Sequence, residues 1–179
     1  TACALAAGVS LGAIAQGLNG FAPVSGRSRA LALEFAGRAI TLVDDSYNAD
    51  PDSVRAAIEL LADLPAPRLL VLGDMGEIGS GGPQFHAEAG AQARERGIEQ
   101  LFTLGVQSAG AAAAFGTSAR HFDSMDALQV AVRAALAEVA SVLVKGSRFM
   151  RMERVVQAAS EAAEPSPSDR LAHVTGAAC

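Results

Sequence analysis

The stretch Asp44-Asp45-Ser46-Tyr47-Asn48-Ala49-Asp50-Pro51 marks the point where an apolar run ends and a helical pattern begins. The run before it covers residues 39–43, and the helical pattern starts near Asp52. The stretch therefore predicts a strand, a polar loop and a helix. Loops at the carboxyl ends of strands bind ligands in open α/β sheets. Asp50 followed by Pro51 is also typical of a helix N-cap, so a binding role and a capping role both stay open for this residue.

Apolar runs alternate with helical patterns on both sides of this stretch. Runs at residues 30–35 and 39–43 flank a Gly-containing turn and predict a hairpin, with the more apolar second strand nearer the centre of the sheet. Further strands are predicted at residues 68–72, 100–104, 120–123 and 141–144, and helices at residues 51–64, 84–96, 108–115, 124–137 and 150–163. This order predicts an α/β fold: a doubly wound, mainly parallel, Rossmann-like sheet with an N-terminal β-hairpin, preceded by a short helical segment.

Two more polar loops follow predicted strands. One is Gly73-Asp74-Met75-Gly76-Glu77, and the other is Lys145-Gly146-Ser147-Arg148. Because parallel strands end at one edge of a sheet, we expect these loops to share a rim with the first loop. Acidic groups suit an ammonium or hydroxyls and basic groups suit a carboxylate, so the rim suits a zwitterionic ligand. Each loop taken alone also fits an ordinary solvent-exposed turn.

The composition excludes several classes of function. A net charge of −5 and the absence of Trp argue against a nucleic-acid partner. The two cysteines, Cys3 and Cys179, lie at opposite ends, so neither a zinc site nor a disulfide framework is predicted and a reducing, cytoplasmic location fits. No apolar run approaches the roughly 20 residues that span a bilayer. The chain starts in mid-pattern without Met, which predicts a fragment.

Together with Gly26-Arg27, the three loops form an ordered set of motifs. The set resembles the C-terminal domain of the Mur ligase family, in particular the branch that adds a dipeptide, over about residues 20–160. One position departs from the usual family pattern, since Asp50 stands where the family usually carries Asn. The resemblance implies four segments: the helical end of a truncated central ATPase domain (residues 1–20), a linker (21–29), the C-terminal α/β domain (30–163) and a flexible tail (164–179). A small free-standing helical hairpin is the alternative for residues 1–20.

The resemblance also implies a function. The full-length protein would be an ATP-dependent amide ligase that adds D-alanyl-D-alanine to UDP-N-acetylmuramoyl-tripeptide through an acyl phosphate. This reaction belongs to peptidoglycan synthesis, and so to cell-wall biogenesis, cell shape and cell division. ATP and Mg²⁺ would be required, with the magnesium ligands and the phosphate-binding loop mainly in upstream domains. No Gly-x-x-x-x-Gly-Lys-Ser/Thr motif occurs in this chain, so we expect the fragment alone to be inactive. The resemblance implies that the whole enzyme is a monomer.

The site residues implied by the resemblance fall into two groups, and no catalytic residue or metal ligand is assigned in the fragment. The nucleotide-binding group is Arg27, Asp45 and Asn48. The substrate-binding group is Tyr47, Asp74, Met75, Lys145, Ser147 and Arg148. His86 lies alone in a predicted helix and is not expected to be a general base, because such a residue is more often packed or simply exposed.

Two alternatives stay open. A different Mur-type ligase would use another amino-acid acceptor, although Tyr47-Asn48 together with the Lys145–Arg148 loop favours the dipeptide-adding branch. A free-standing α/β binding or regulatory module would also lack a phosphate-binding loop. Domain closure around ATP would be needed only by the ligase.

Overall fold

The computed structural model describes residues 1–21 and 24–165. In chain order, its helices and strands are α1 (Ala2–Ala6), α2 (Leu11–Asn19), β1 (Arg29–Phe35), β2 (Arg38–Asp45), α3 (Pro51–Ala62), β3 (Arg68–Gly73), α4 (Gly82–Glu95), β4 (Gln100–Leu104), α5 (Ala109–Phe115), β5 (Ala119–Phe122), α6 (Met125–Ala135), β6 (Ser141–Lys145), α7 (Glu153–Ala162) and β7 (Glu164–Pro165). Short 3₁₀ turns cover Gly79–Gly81 and Arg148–Met150.

The strands form one sheet in the order β5-β4-β3-β6-β2-β1-β7. The five strands from β5 to β2 run parallel, while β1 and β7 are antiparallel to their neighbours. Strand β6, which comes last in the chain among the parallel strands, lies between β2 and β3 in the sheet. The carboxyl ends of these three strands therefore meet at one edge of the sheet, where the polar loops follow them.

Helices cover both faces of the sheet, which confirms the predicted doubly wound α/β fold. Val142 and Val144 of β6 pack in a core with α6 and α7. Leu143, between them, packs on the opposite face in a core with α3, α4 and α5. Because successive side chains of a strand point to opposite faces, a run without polar residues is what a sheet covered on both sides requires.

The N-terminal hairpin also forms as predicted. Phe35 pairs with Arg38, so Ala36 and Gly37 form a two-residue turn, with φ values of +50° and +77°. Positive φ at both positions matches the right-handed twist of the flanking strands. Strand β2 is inside the sheet between β1 and β6, as its stronger apolar character predicts.

Three element boundaries differ from the sequence prediction. Residues 80–83, which precede the helix predicted at residues 84–96, lie in a 3₁₀ turn and the first turn of α4, where Pro83 is favourable. Helix α7 begins at Glu153 instead of residue 150, because Arg151 adopts a left-handed conformation with φ of +52°. The sheet extends past residue 163, since β7 pairs with β1. The rest of the predicted tail lies outside the described residues.

The two N-terminal helices bury little apolar surface. Ser10 caps α2, because its side chain accepts a hydrogen bond from Ala13 N–H. Ile14 is buried, whereas Leu11 and Leu18 on the same face are 69% and 60% exposed. In the described part of the chain, no helix has both the length and the apolar character needed to cross a membrane.

Candidate functional site

Backbone hydrogen bonds join the loops that follow β2, β3 and β6. We call residues 46–50 the β2 loop, residues 74–78 the β3 loop and residues 146–149 the β6 loop. Gly76 N–H donates to Ala49 O at 3.1 Å, and Ser147 N–H donates to Asp74 O at 2.9 Å. The β3 loop is thus bonded to both others. The expected convergence of the polar loops at one rim is confirmed.

A buried ion pair joins β2 to β6. Asp45 and Lys145 are partners in the parallel ladder, which places their side chains side by side. Lys145 Nζ lies 2.5 Å from Asp45 Oδ2 and 2.9 Å from Asn48 O, and the lysine is only 3% exposed. The sequence analysis placed Lys145 in the substrate-binding group. The structure instead brings it to two residues of the nucleotide-binding group.

The linker before β1 is fixed to the β2 loop by polar contacts. Gly26 N–H donates to Asp44 Oδ2 at 2.8 Å, and Tyr47 N–H donates to Gly26 O at 3.0 Å. The N–H and hydroxyl of Ser28 both donate to Asp45 Oδ1, at 2.9 and 3.0 Å. Gly26 has φ of +81°, and a Cβ there would lie 3.0 Å from Tyr47 Cβ, so a side chain would not fit without a shift.

Tyr47 presents its ring to two arginines. Arg27 Cζ lies 4.2 Å from the ring centroid, and Arg148 Cζ lies 5.3 Å from it. Each contact is a cation–π interaction, worth about 0.5–1 kcal/mol at an exposed site. The ring is 42% exposed, so it holds two cationic groups at the surface where an anionic ligand can reach them.

A cleft of about 350 Å³ opens between the linker, the β2 loop and α3. It contains all three residues predicted to bind the nucleotide, as well as Lys145. We call it the Tyr47 cleft. Its lining residues are Gly26, Arg27, Ser28, Asp45, Tyr47, Asn48, Asp50, Ser53, Ala56, Ala57, Leu60 and Lys145. A carboxylate, a guanidinium, an amide and an aromatic ring face one space, and these groups match hydroxyls, phosphates and a base.

Asp50 caps α3, so the capping interpretation of this residue is confirmed. Its Oδ1 accepts from Ser53 N–H at 3.0 Å, and the Ser53 hydroxyl lies 3.1 Å from Asp50 N. The bond from the Ser53 backbone N–H, followed by that from the Ser53 hydroxyl, holds the pKa of Asp50 below its ordinary value. Asp50 also lines the cleft, so capping does not remove it from the site.

Asp74 and Met75, predicted to bind substrate, are directed into the protein. Asp74 is 6% exposed, and its Oδ1 accepts from the backbone N–H groups of Gln107 and Ser108 at 3.1 and 2.8 Å. The side chain of Met75 is 1% exposed and packs in the core below α3 and α4. Asp74 therefore holds the loop after β4 in place, and the Met75 side chain does not reach a ligand in this arrangement.

Ser147 and Arg148 occupy different surroundings although they are adjacent. Ser147 is 2% exposed, and its hydroxyl has no hydrogen-bond partner among the described residues. Arg148 lies at the surface beside Tyr47. The helix expected to follow directly on this loop does not do so, because the 3₁₀ turn and Arg151 come between. Its N-terminus is thus three residues further along than the sequence analysis placed it.

Sequence reasoning missed the contribution of Ser28. The resemblance assigns a binding role in the linker to Arg27 alone, and nothing in Gly26-Arg27-Ser28 marks the serine as a partner of a carboxylate 17 residues later. Ser53 carried a usable signal, since an N-cap residue and a polar residue three positions on form a capping box.

In the described ranges, no group of three or more His, Cys, Asp or Glu side chains is placed to hold a metal ion. The Tyr47 cleft combines the carboxylates of Asp45 and Asp50, the guanidinium of Arg27 and the buried Lys145. Its chemistry fits the sugar, phosphate and base of a nucleotide, and it offers no set of oxygen ligands of its own to a divalent cation.

Comparison with known proteins gives the same result at the level of family and fold. The family model of the Mur ligase glutamate ligase domain matches residues 30–148. UDP-N-acetylmuramoyl-tripeptide–D-alanyl-D-alanine ligase of Escherichia coli K12 is 38% identical over 162 residues, which cover 89% of this chain and 35% of that protein. The ligase of the same name from Bacillus subtilis 168 is 34% identical, over 86% of this chain and 35% of that protein. A crystal structure of MurF from Acinetobacter baumannii matches with a TM-score of 0.77 and 29% identity, over 88% of this chain and 35% of that chain.

The chain thus spans about a third of the length of these relatives. The residues matched by the family model run from the second residue of β1 through β6 to Arg148, and they include the β2 and β3 loops and most of the β6 loop. The resemblance inferred from the motifs is confirmed by the family model and by relatives that share the dipeptide-adding name. The chain belongs to the Mur ligase family.

Proposed function

We propose that this chain is the C-terminal part of an ATP-dependent ligase that adds D-alanyl-D-alanine to UDP-N-acetylmuramoyl-tripeptide in peptidoglycan synthesis. The observation that carries the proposal is the Tyr47 cleft, where Arg27, Asp45 and Asn48 face one space beside the Lys145–Arg148 loop. The names of the relatives support the choice of substrates. We further infer that the ligase acts as a monomer in the cytoplasm, with Mg²⁺ held outside this part of the chain.

In this proposal, the cleft completes an ATP site. Arg27 pairs with phosphate oxygens through its planar guanidinium. Asp45 accepts from ribose hydroxyls with the lone pairs that Ser28 and Lys145 leave free. Asn48 lies near the base, where an amide both donates and accepts. Arg27 stacks on Tyr47 at 4.2 Å, which fixes its guanidinium before the nucleotide arrives.

The acceptor dipeptide takes the other side of the rim. Arg148 lies at the surface, 5.3 Å from the centroid of the Tyr47 ring. Its guanidinium can bind the carboxylate of the dipeptide. The Ser147 hydroxyl has no partner among the described residues, but it is buried, so it contacts the acceptor only if the loops shift on binding. Lys145, Asp74 and Met75 are reassigned: they hold the loops, because each is buried and the two charged groups already have partners.

We also propose that residues 1–20 belong to an upstream domain of the same protein. The exposed Leu11 and Leu18 lie on one face of α2, and an apolar helical face of this kind is normally covered. In the full-length ligase, closure of the domains would bring the Tyr47 cleft onto the bound nucleotide and exclude water. The 179-residue chain would then be inactive by itself.

The test is acceptor-dependent ADP release by the full-length protein, with D-alanyl-D-alanine compared against D-glutamate and diamino acids. We expect release only with the dipeptide, and none from the 179-residue chain alone. Asp45→Asn should raise the KM for ATP by about tenfold or more, since it weakens a charged hydrogen bond. Asp52→Asn is the matched control, because the Asp52 side chain is 90% exposed and lies outside the cleft.

Three outcomes would contradict the proposal. Release that depends on a different amino acid would move the protein to another branch of the Mur ligases. An intact cellular mass equal to that of the 179-residue chain would favour a free-standing binding module, because no phosphate-binding loop would then be attached. Equal KM values for the Asp45→Asn and Asp52→Asn variants would remove the nucleotide from the Tyr47 cleft.

A further inference from the structure

A fully buried histidine supports the β3 loop from the side of α4. His86 is 0% exposed. Its Nε2 lies 2.9 Å from the backbone nitrogen of Met75, and its Nδ1 lies 2.7 Å from the carbonyl oxygen of Gly82. The ring therefore joins the first turn of α4 to Met75 of the β3 loop.

These two partners define the state of the ring. A backbone N–H can only donate, so Nε2 must be unprotonated to accept from Met75. A carbonyl oxygen can only accept, so Nδ1 carries the proton that Gly82 receives. The ring is thus neutral, with both nitrogens used. Asp74 Oδ1 lies 3.9 Å from Nε2, beyond hydrogen-bond distance, and it is already bonded to the N–H groups of the loop after β4.

The loop that His86 supports is hydrogen-bonded to the other loops at this edge of the sheet. Through Asp74 O it receives the N–H of Ser147, and through Gly76 N–H it reaches Ala49 O. Through Asp74 Oδ1 it binds the N–H of Ser108. The β3 loop thus has hydrogen bonds to the loops after β2, β4 and β6, and His86 binds Met75, which lies between the two residues that make them.

The β3 loop and the Tyr47 cleft are nevertheless distinct. None of residues 74–78 lines the cleft. The β3 loop contacts both neighbouring loops, through Ser147 of the β6 loop and Ala49 of the β2 loop. A Cβ on Gly76 would lie 3.1 Å from Ser147 Cβ, so the contact with the β6 loop is close. Ala49 does not line the cleft. A displacement of the β3 loop would therefore act directly on Ser147, on the acceptor side, and would reach the cleft only through the backbone of Ala49.

We propose that His86 is a positioning residue for the acceptor: as a neutral ring it holds the β3 loop, and through it Ser147 and Arg148, in the geometry that the dipeptide needs. The inference rests on the proposed ligase function. It gives a role to a buried histidine that touches no substrate. A glycine at position 76 fits this arrangement, since a side chain there would push the β3 and β6 loops apart.

The experiment uses the full-length ligase with a set of His86 variants. His86→Leu keeps an apolar body but leaves Met75 N–H without an acceptor, and His86→Gln returns an acceptor of similar reach. We expect His86→Leu to raise the KM for the dipeptide about tenfold or more, as a small misplacement can do, with the KM for ATP changed less than about twofold. His86→Gln should recover most of the loss. Hydrogen exchange of the peptide that covers residues 73–78 should speed up in His86→Leu and not in His86→Gln.

The matched control is Val132→Ala, a cavity under α6 that lowers stability on the opposite face of the sheet. If Val132→Ala changes the dipeptide KM as much as His86→Leu does at equal loss of Tm, the role of His86 is only structural and the proposal is overturned. An unchanged dipeptide KM in His86→Leu overturns it too. If His86→Leu does not fold, His86→Asn, which keeps a group for Gly82 but does not reach Met75, replaces it against His86→Gln. A wild-type enzyme without ligase activity refutes the proposed function, whereas the exchange of residues 73–78 still tests His86.

Discussion

Removing the charge of Lys145 should destabilise the site strongly, because the lysine is buried and its partner Asp45 is only partly exposed to water. Lys145→Met keeps the length of the side chain and deletes the ammonium that lies 2.5 Å from Asp45 Oδ2. The Lys145 side chain is 3% exposed and that of Asp45 is 15% exposed. In the variant, Asp45 keeps its two bonds from Ser28 and loses its countercharge.

The magnitude follows from the burial of both partners. Breaking a buried pair by removing one member costs about 3–5 kcal/mol of folding free energy when both are fully enclosed. Asp45 retains some solvent and Lys145 also bonds Asn48 O, so we place Lys145→Met and Asp45→Asn each at about 2–3 kcal/mol. The double variant leaves no uncompensated charge. It should therefore cost about 1–3 kcal/mol less than the sum of the two single changes.

Urea denaturation at pH 7 of the wild type, the two single variants and the double variant measures this cycle. A loss of about 2–3 kcal/mol moves the midpoint by about 1 M or more for a domain of this size. Single losses below about 0.5 kcal/mol would refute the argument, because surface ion pairs have values of that size. Strict additivity in the double variant would also refute it, since it would mean that the two charges do not interact.

Two further pairs of measurements test the cap and the packing of helices. Asp50→Asn should keep the N-cap and leave the dipeptide KM unchanged. Because the folded pKa of Asp50 is lowered, the ionised carboxylate makes the wild type slightly more stable than the variant above about pH 4, and this difference disappears as the pH falls through the folded pKa. Urea midpoints of wild type and variant that differ equally at all pH values would contradict this. Gly90→Ala should lower the unfolding free energy by about 1–3 kcal/mol, because the added Cβ would collide with Ala111 O of α5. Gly110→Ala should raise it by about 0.5–1 kcal/mol, because the nearest atom to its Cβ would be 3.7 Å away. Equal shifts of the urea midpoint in the two variants would mean that α4 and α5 are not in close contact.

The fold could be predicted because its signals are local. Apolar runs such as residues 68–72 and 141–144 are what a sheet covered on both faces needs, and the helices carry their caps in sequence, as Ser124 does for α6. The order of the strands is not local. No pattern along the chain indicates that β6 inserts between β2 and β3, and this insertion brings Lys145 to Asp45 across 100 residues.

The site could be predicted as a set of loops, but not residue by residue. A carboxylate after a strand can face a ligand or cap a neighbouring backbone, and both choices give the same sequence. Asp74 bonds a neighbouring backbone, because the N–H groups of Gln107 and Ser108 in the loop after β4 point at its carboxylate. Met75 is apolar beside it, which already favoured burial over the binding role that the motif suggested.

The central position of β6 has a consequence for how the two ligands communicate. Residues 145–148 contact both sides of the site. Lys145 binds Asp45 in the Tyr47 cleft, Ser147 N–H donates to Asp74 O in the β3 loop, and Arg148 lies over Tyr47. A nucleotide that draws on Asp45 must therefore act on the same stretch that we propose to hold the acceptor. Because packed loops shift between discrete arrangements and do not deform smoothly, occupancy of the cleft should alter the affinity for the acceptor, and the reverse effect must be equal in size.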